Sequence, residues 1–312
     1  MPPSKSEDNS SGQRYKGYAD LCLVISVEAA RSLLNRSDVI FIDTRNYWKY
    51  VKGHIPGAFN LELYAFHWID TSKRGIDAFL KQMEFLFSSV GVTRNRQEVI
   101  FYQNNSGYDA ARGVWLLNYM GHTKARLLDG GLNAWRRRNF PTSTEDPKLE
   151  MSGHFQARPN YSVIATRELI ASRLKQKSTT TTPTTIVDSR SPGEYSAKYR
   201  RALHAGHVPS SINKEWKMAL RRDGTLKDAA QLRRVFSLPE LTYGSIHQGS
   251  GSTRRAGKSQ SRELITYCQS GYRAAHSWLV LRLLGYSNVR NYLGSWYEWG
   301  NYGSGSPVAF HH

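Results

Sequence analysis

The stretch best suited to chemistry is a cysteine followed by a short loop, an arginine and a helix-forming run. Four residues typical of a β-strand, Leu264-Ile-Thr-Tyr267, lead into Cys268, and four more residues separate it from Arg273. In open parallel sheets, ligands bind where a strand ends and a helix begins. A helix N-terminus and an arginine both favour the thiolate, the nucleophilic form of cysteine. The sequence therefore predicts that Cys268 is reactive.

The loop itself is expected to hold negative charge. Its residues can turn successive backbone N–H groups towards the sulfur and so form a cradle for an anion. The cradle residues are Gln269, Ser270, Gly271 and Tyr272. Arg273 would add a full positive charge, so the same groups would hold an anionic atom transferred to the sulfur.

Length and composition predict two domains without a membrane segment. The chain has 312 residues, 39% of them hydrophobic, which suits two cores of about 150 residues each. No apolar run approaches the ~20 residues that span a bilayer. The first twenty residues are polar and resemble neither a signal nor a transit peptide. Two cysteines, Cys22 and Cys268, form no disulfide framework, and we expect a cytoplasmic protein in which Cys22 is a buried structural thiol.

A net charge of +18 favours anionic partners. We expect a small anionic substrate rather than nucleic acid as the partner. A Gly/Ser-rich basic insertion at about 243–262 is interpreted as a solvated loop that could touch a polyanion. We expect neither a membrane partner nor a cofactor, and we expect a monomer.

An internal repeat determines the predicted architecture. Three blocks recur in the same order in both halves. The first is an Asp-x-Arg motif at the end of a strand, followed later by Gly-His-x-Pro. The second is Ser-Gly-Tyr at the beginning of a helix, and the third is a turn with Gly-x-x-x-Trp in one copy and Gly-Ser-Trp in the other. One fold is therefore used twice. Within each unit, short apolar runs such as 39–42 and 99–102 alternate with helical runs such as 26–34 and 76–90. This pattern predicts an α/β fold in which two tandem domains each have a parallel five-stranded sheet with helices on both faces.

The domain boundaries follow from polar and proline-rich stretches. We expect a disordered tail over residues 1–20 and an N-terminal domain over 21–143. A linker over 144–160 would lead to a C-terminal domain over 161–308.

Comparison of the two copies distinguishes residues that we expect to be structural from residues that we expect to be catalytic. Asp188 and Arg190 repeat Asp43 and Arg45, and the carboxylate is expected to secure the loop at the sheet edge. His207 repeats His54 and is interpreted as structural, although His204 lies three residues before it. No further ligand stands at zinc-like spacing, so no metal site is predicted.

The loops at the helix starts differ between the copies. When the copies are aligned on Ser-Gly-Tyr, Asn104 faces Cys268 and Asp109 faces Arg273. The first copy therefore has an amide and a carboxylate where the second has a nucleophile and a cation. We predict that the second domain is catalytic and that the first is an inactive, supporting copy.

Taken together, these motifs closely resemble the two-domain rhodanese family of thiosulfate sulfurtransferases. The resemblance covers roughly residues 20 to 308. It implies a catalytic cysteine in the C-terminal domain and a double-displacement reaction. Cys268 would take the sulfane sulfur of thiosulfate as a persulfide and pass it to cyanide or a thiol acceptor.

The resemblance leaves the sulfur donor open. Mercaptopyruvate-using relatives typically have Cys-Gly-[Ser/Ala]-Gly-Val in this loop and an arginine where this chain has Glu194. The present loop and the stretch from Asp188 look more like the thiosulfate branch. Arg200 or Arg201 could still hold the carboxylate of 3-mercaptopyruvate, so this donor is the alternative. Asp188, Arg190, Glu194, Arg200 and Arg201 are the candidate residues of the substrate rim. The family's aspartate is present at Asp129 but replaced by Leu293 in the second copy.

Two other classes of function were considered. Cysteine phosphatases of related fold need five residues between cysteine and arginine to surround phosphate, and this chain has four. A non-catalytic rhodanese-like binding module fits the first copy. It does not fit a second copy that retains both Cys268 and Arg273.

Overall fold

The computed structural model describes residues 15–148, 153–176, 184–238, 262–302 and 308–309. Its first half contains one parallel five-stranded sheet with the strand order β1-β5-β4-β2-β3. The strands are β1 (Val24–Ile25), β2 (Val39–Asp43), β3 (Phe59–Asn60), β4 (Glu98–Tyr102) and β5 (Ala125–Leu128). The helices are α1 (Val27–Ser32), α2 (Tyr47–Tyr50), α3 (Lys73–Ser89), α4 (Tyr108–Tyr119) and α5 (Gly131–Arg137).

The second half repeats this topology with the strand order β6-β10-β9-β7-β8, again all parallel. Its strands are β6 (Ile164–Ala165), β7 (Thr184–Asp188), β8 (Ile212–Asn213), β9 (Glu263–Tyr267) and β10 (Val289–Tyr292). Its helices are α6 (Arg167–Lys175), α7 (Pro192–Tyr195), α8 (Ala229–Val235), α9 (Tyr272–Leu283) and α10 (Ser295–Trp299). The predicted α/β fold with two tandem five-stranded sheets is confirmed.

Local sequence signals explain where the helices begin. Ser26 accepts a hydrogen bond from the backbone of Ala29, and Ser72 accepts one from Gly75, so each serine caps the N-terminus of the helix that follows. These helices, α1 and α3, are those expected from the runs at 26–34 and 76–90. In the described part of the chain no helix is long and apolar enough to cross a bilayer.

Strand register makes the two halves directly comparable. Asp43 pairs with Tyr102 in the first sheet, and Asp188 pairs with Tyr267 in the second. The tyrosine hydroxyls also match, because each accepts a backbone N–H from the Gly-His-x-Pro loop of its own half. The residue after each tyrosine, Gln103 or Cys268, therefore occupies the same place in the fold.

The two halves share a buried interface built around α4 and α9. A single apolar cluster runs through it and includes Trp115 and Leu117 of α4 and Trp278 and Leu281 of α9, all fully buried. Tyr272, at the beginning of α9, donates a hydrogen bond to the carbonyl of Leu63 in the first half. The second half is thus packed against the first half at the helix that follows the cysteine loop.

Two sequence predictions near the N-terminus need revision. Residues 15–20, assigned to the tail, are instead packed against the second half, where the Tyr18 hydroxyl donates to the carbonyl of Lys227. The prediction that Cys22 is buried is wrong, because this residue lies exposed in a turn before the edge strand β1. The basic insertion lies outside the described residues except for Arg262, and the tail before Tyr15 lies entirely outside them.

Asp129 joins three parts of the chain. Its side chain is fully buried and accepts hydrogen bonds from Ser106, from the backbone of Leu226 in the second half, and from Tyr15 and Lys16 of the N-terminal segment. At the matching position Leu293 is fully buried. One carboxylate therefore fastens the N-terminal segment and the second half to the first half.

We expect Asp129→Ala to lower the free energy of unfolding by about 3–5 kcal/mol, because it removes the carboxylate from a largely buried ammonium and leaves several donors unpaired. Urea unfolding at pH 7 measures this change. Asp38→Ala, which removes an exposed carboxylate paired with Arg36, serves as the control and should leave the midpoint unchanged. Equal midpoints for the two variants would contradict this role for Asp129.

Candidate active site

Cys268 lies directly after β9 and is 1% exposed. Its backbone N–H donates to Ser295 Oγ over 3.1 Å, and its carbonyl accepts from the backbone of Trp296 over 2.9 Å. The next carbonyl, that of Gln269, accepts from Tyr297 over 2.8 Å. The start of the cysteine loop is therefore fastened to α10, which explains why the Gly-Ser-Trp turn accompanies the cysteine.

Gly271 shapes the end of the loop. Its φ is 80°, a left-handed conformation that favours glycine, and an added Cβ would lie 2.7 Å from the carbonyl oxygen of Leu293. Its own carbonyl accepts from Asn291 Nδ2 over 3.1 Å and from Arg112 Nη1 over 3.3 Å. Helix α9 then begins at Tyr272, one residue earlier than expected. The predicted cradle residues thus form one tight connection between β9 and α9.

Arg273 is held by a carboxylate. Its two terminal nitrogens donate to the two oxygens of Glu194 over 2.7 and 2.9 Å, a bidentate pair. Burial alone raises the pKa of Glu194, but hydrogen bonds and charge from Arg273 and hydrogen bonds from Ser191 outweigh it and lower the pKa to about 2. Burial lowers the pKa of Arg273, whereas Glu194 and Cys268 together raise it, so the guanidinium stays charged.

The predicted rim residues fall into two groups. Asp188 and Arg190 form a fully buried ion pair over 2.6 Å, and Arg190 also donates to the carbonyl of Gly206. Glu194 is 4% exposed. These three residues are placed to support the site from inside, which is the role expected for the Asp-x-Arg motif.

Arg200 and Arg201 are exposed beside the loop. The carbonyl of Arg201 accepts from Gln269 Nε2 over 3.0 Å, and its guanidinium lies 3.8 Å from Glu194. Of the five candidate rim residues, these two therefore lie on the surface next to the cysteine loop.

The first half shows which group replaces the sulfur. The backbones of Leu132 and Asn133 donate to Gln103 and Asn104, just as α10 donates to Cys268 and Gln269. Gln103, rather than Asn104, therefore corresponds to Cys268, and the extra residue of the first loop lies further along. Alignment on Ser-Gly-Tyr misplaced the gap because it matched the helix end of the loop instead of the strand end.

The Gln103 side chain binds the N-terminus of α4. Its Oε1 accepts from the backbone N–H of Asp109 over 2.9 Å and from that of Ala110 over 3.4 Å. Asp109, which replaces the arginine, has a pKa raised to about 7 by burial and by the charge of Glu62. The first copy thus satisfies its helix N-terminus internally with an amide oxygen.

The duplicated histidines are structural in both halves. His54 Nδ1 lies 3.0 Å from the carbonyl of Tyr50, and His207 Nδ1 lies 2.9 Å from that of Tyr195. Each imidazole also stacks on the same tyrosine with ring centroids 3.9 Å apart. His204 is exposed, and the described residues contain no cluster of side chains that could hold a metal ion.

Sequence reasoning missed the contributions from the first half. Arg112 reaches Gly271, and His276 Nε2 lies 2.9 Å from the carbonyl of Ser106. Burial lowers the pKa of His276 to about 4, so its neutral ring donates to that carbonyl. The repeat contained a signal for both residues, because Arg112 and His276 stand at the same position of the aligned helices.

Two copies of one α/β domain, one of them with a cysteine loop at the carboxyl edge of its sheet, define the class of protein. The family model described as Rhodanese-like domain matches residues 26–138 and 170–302. The chain is 31% identical over 297 residues to the putative thiosulfate sulfurtransferase 1 of Mycobacterium bovis, covering 92% of this chain and 97% of that protein. It is also 31% identical over 285 residues to the thiosulfate sulfurtransferase of Pseudomonas aeruginosa, covering 91% of this chain and 96% of the relative.

Solved structures agree in fold. The 3-mercaptopyruvate sulfotransferase of Escherichia coli superposes with a TM-score of 0.68 at 23% identity, covering 88% of this chain and 98% of that one. An anaerobic ergothioneine biosynthesis enzyme from Chlorobium limicola superposes with a TM-score of 0.75 at 19% identity, covering 97% and 73% of the two chains. The chain belongs to the rhodanese family of sulfurtransferases and contains the domain in tandem.

The Glu194–Arg273 pair makes stability depend on pH. Because the pKa of Glu194 is lowered from 4.5 to about 2, its stabilising effect is complete above about pH 4.5 and is lost as the pH falls towards 2. We expect Glu194→Gln to lower the melting temperature at pH 7, with more than half of that difference gone by about pH 3. Glu168→Gln, at an exposed site, is the control. A constant difference between wild type and Glu194→Gln across this range would exclude the effect.

Proposed function

We propose that this protein is a thiosulfate sulfurtransferase that carries the transferred sulfur on Cys268. The observation that carries the proposal is the comparison of the two loops. In the first half, an amide oxygen of Gln103 accepts the N–H groups at the beginning of α4. In the second half, a cysteine stands at the equivalent position before α9. A thiolate or persulfide is the anionic counterpart of that oxygen, so the site is suited to a charged sulfur.

In the first proposed step, the Cys268 thiolate attacks the sulfane sulfur of thiosulfate. A bond forms between the two sulfur atoms, and the bond from the sulfane sulfur to the sulfonate sulfur breaks. Its electron pair leaves with sulfite, and Cys268 becomes a persulfide that carries one negative charge. Cyanide or a thiolate then attacks the terminal sulfur, forming thiocyanate or a new persulfide and returning the Cys268 thiolate. Charge and atoms balance without a cofactor.

The surrounding residues have separate parts in this proposal. The N-terminus of α9 and the charge of Arg273 stabilise negative charge on the transferred sulfur. Glu194 orients Arg273 through its bidentate pair and reduces the net charge of the site. Arg200 and Arg201 attract the thiosulfate dianion from solvent at the edge of the loop. Each chain carries the complete set, so the reaction requires only a monomer.

The cysteine content and the length of the loop bear on the compartment and on the class of reaction. No disulfide joins the two cysteines, which suits a reducing compartment such as the cytoplasm, where thiol acceptors are abundant. The four residues between Cys268 and Arg273 leave little room for a tetrahedral phosphate, which disfavours phosphatase chemistry.

Replacement of the proposed nucleophile tests the mechanism. Cys268→Ala should reduce thiocyanate formation from thiosulfate and cyanide to the uncatalysed background, because no sulfur remains to carry the intermediate. Cys22→Ala is the matched control and should keep the wild-type rate within about twofold, since that thiol is exposed and distant in sequence from the loop. A mass increase of one sulfur atom after incubation with thiosulfate should occur in Cys22→Ala and not in Cys268→Ala. Turnover that survives in Cys268→Ala would refute the mechanism.

The alternative donor is 3-mercaptopyruvate, and the structural likeness to the Escherichia coli enzyme keeps it a serious candidate. This chain has Glu194 where mercaptopyruvate-using relatives typically have an arginine, and Glu194 is already engaged by Arg273. We therefore expect kcat/KM for thiosulfate to exceed that for 3-mercaptopyruvate by about tenfold or more, equivalent to about 1.4 kcal/mol. Steady-state kinetics with the same acceptor measure the ratio. A preference for 3-mercaptopyruvate would assign the protein to the other branch.

A further inference from the structure

Arg112 is a buried cation that the first half presents to the second. It lies on α4 and is 1% exposed. Its guanidinium carbon lies 4.7 Å from the ring centroid of Trp115, 4.9 Å from that of Tyr272 and 6.0 Å from that of Phe79. Tyr272 is the last residue before Arg273 in the cysteine loop, so one wall of this aromatic cage belongs to the catalytic half.

The charge of Arg112 has little compensation in the described part of the chain. Its Nε and Nη2 have no hydrogen-bond partner among the described residues, and no described carboxylate is among the groups that shift its pKa. Its one hydrogen bond to the loop runs from Nη1 to the carbonyl of Gly271. A guanidinium has five N–H donors, and a buried cation is costly unless an anion or several acceptors satisfy it. The aromatic rings offset part of that cost.

The contact with Gly271 also fixes the direction of a peptide group. In a trans peptide the carbonyl and the following N–H point in opposite directions. Arg112 and Asn291 hold the Gly271 carbonyl on the side of the interface between the halves. The same carbonyl accepts the backbone N–H of Ala275 over 3.1 Å, the first hydrogen bond of α9, so the N–H of Tyr272 points out of the helix at its N-terminus. Arg112 thus helps to set the orientation of the first amide of α9, next to the sulfur-bearing loop.

Tyr272 and Cys268 are the two described groups whose negative charge would act on Arg112, and burial raises the pKa of Tyr272 to about 12, so its hydroxyl stays protonated at neutral pH. Burial lowers the pKa of Arg112, whereas negative charge on Tyr272 or Cys268 raises it. The interaction is mutual, because a cation stabilised by an anion stabilises that anion equally. An anionic sulfur on Cys268 would therefore offset part of the cost of burying Arg112.

We propose that Arg112 is a positioning residue for the cysteine loop: it holds the Gly271 carbonyl at the domain interface and supplies a buried positive charge that stabilises the anionic sulfur of Cys268. The inactive half thereby takes part in the chemistry of the active half. The proposal deepens the proposed function and rests on it for the persulfide, but the effect on the thiolate can be measured without sulfur transfer.

The test uses the full chain in a Cys22→Ala background, so that Cys268 is the thiol that iodoacetamide alkylates. The alkylation rate is measured against pH for the parent and for Arg112→Met, which keeps much of the apolar length and removes the charge and the hydrogen bond. We expect the midpoint of the profile to move up by about one pH unit, the low end of the effect of a nearby opposite charge. The same variant should lose about tenfold in kcat/KM for thiosulfate.

Three further variants separate charge from packing. Arg112→Gln retains an N–H donor without the charge, so its midpoint should also rise, and it decides the matter if Arg112→Met does not fold. Arg112→Lys keeps a positive charge without the planar group that stacks on the rings, so its midpoint should lie between those of the parent and Arg112→Gln. Arg282→Met is the matched control, because Arg282 lies on α9 with its guanidinium carbon 5.8 Å from the ring centroid of Trp278 and should not affect the profile.

The outcomes distinguish the two proposals. An unchanged alkylation profile in a folded Arg112→Met or Arg112→Gln protein, judged by its circular dichroism, would overturn the role of Arg112. A shifted profile in a parent protein that does not transfer sulfur from thiosulfate would support Arg112 and overturn the proposed donor instead. An equal shift in Arg282→Met would show a general effect of the interface and would also count against Arg112.

Discussion

The bidentate pair between Glu194 and Arg273 is the constraint on which the site depends. Arg273 is the second residue of the helix that follows the cysteine, and Glu194 belongs to α7, which begins four residues after Asp188 of β7. The pair therefore connects two neighbouring strands of the sheet across the loop. Ser191 also donates to Glu194, and the two residues form a capping box at the N-terminus of α7. This capping box holds the carboxylate in the position in which it binds Arg273. The position of the Arg273 guanidinium thus depends on the N-terminal cap of α7, which follows the neighbouring strand β7.

The two halves solve the same structural problem in different ways. Each has a helix N-terminus that faces the end of a central strand, and its free N–H groups need an acceptor. In the first half, Gln103 supplies the acceptor from its own side chain, and Asp109 stands where a cation would attract ligands. In the second half, the loop is one residue shorter, and Cys268 occupies the place of the glutamine. In this view, the two halves differ in the group that faces the helix N-terminus: an amide oxygen in the first half and a sulfur that can react in the second.

The fold could be predicted from the sequence because of the internal repeat. An apolar run in one half supported the assignment of a strand in both halves. Residues 26–34 and 76–90 predicted α1 and α3 from their helix-forming runs, and the structure shows the capping serines Ser26 and Ser72. The loop register was less accessible, since Ser-Gly-Tyr fixes the helix end and only strand pairing shows that Tyr102 matches Tyr267. The prediction for Cys22 was wrong because the apolar run 21–25 does not show where the strand begins. Cys22 lies in the turn before the edge strand β1, where its side chain is exposed. The partnership of Glu194 with Arg273 spans 79 positions, and no local pattern predicts it.

The presence of a first domain without a cysteine in its loop is easier to understand once the interface is considered as part of the site. The cysteine loop has three supports: α10 fastens its beginning, Glu194 holds its arginine, and the first half holds the Gly271 carbonyl and the Tyr272 hydroxyl. Removal of the first half would expose the aromatic wall of α9 to water and release two of the contacts that determine the loop's end. A single copy of this sequence would therefore have the nucleophile without the packing that orients the amides around it. The contribution of the first copy to the second depends on Arg112, Leu63 and Ser106. None of these residues stands at the position that corresponds to Cys268, so the contribution does not require a cysteine in the first copy.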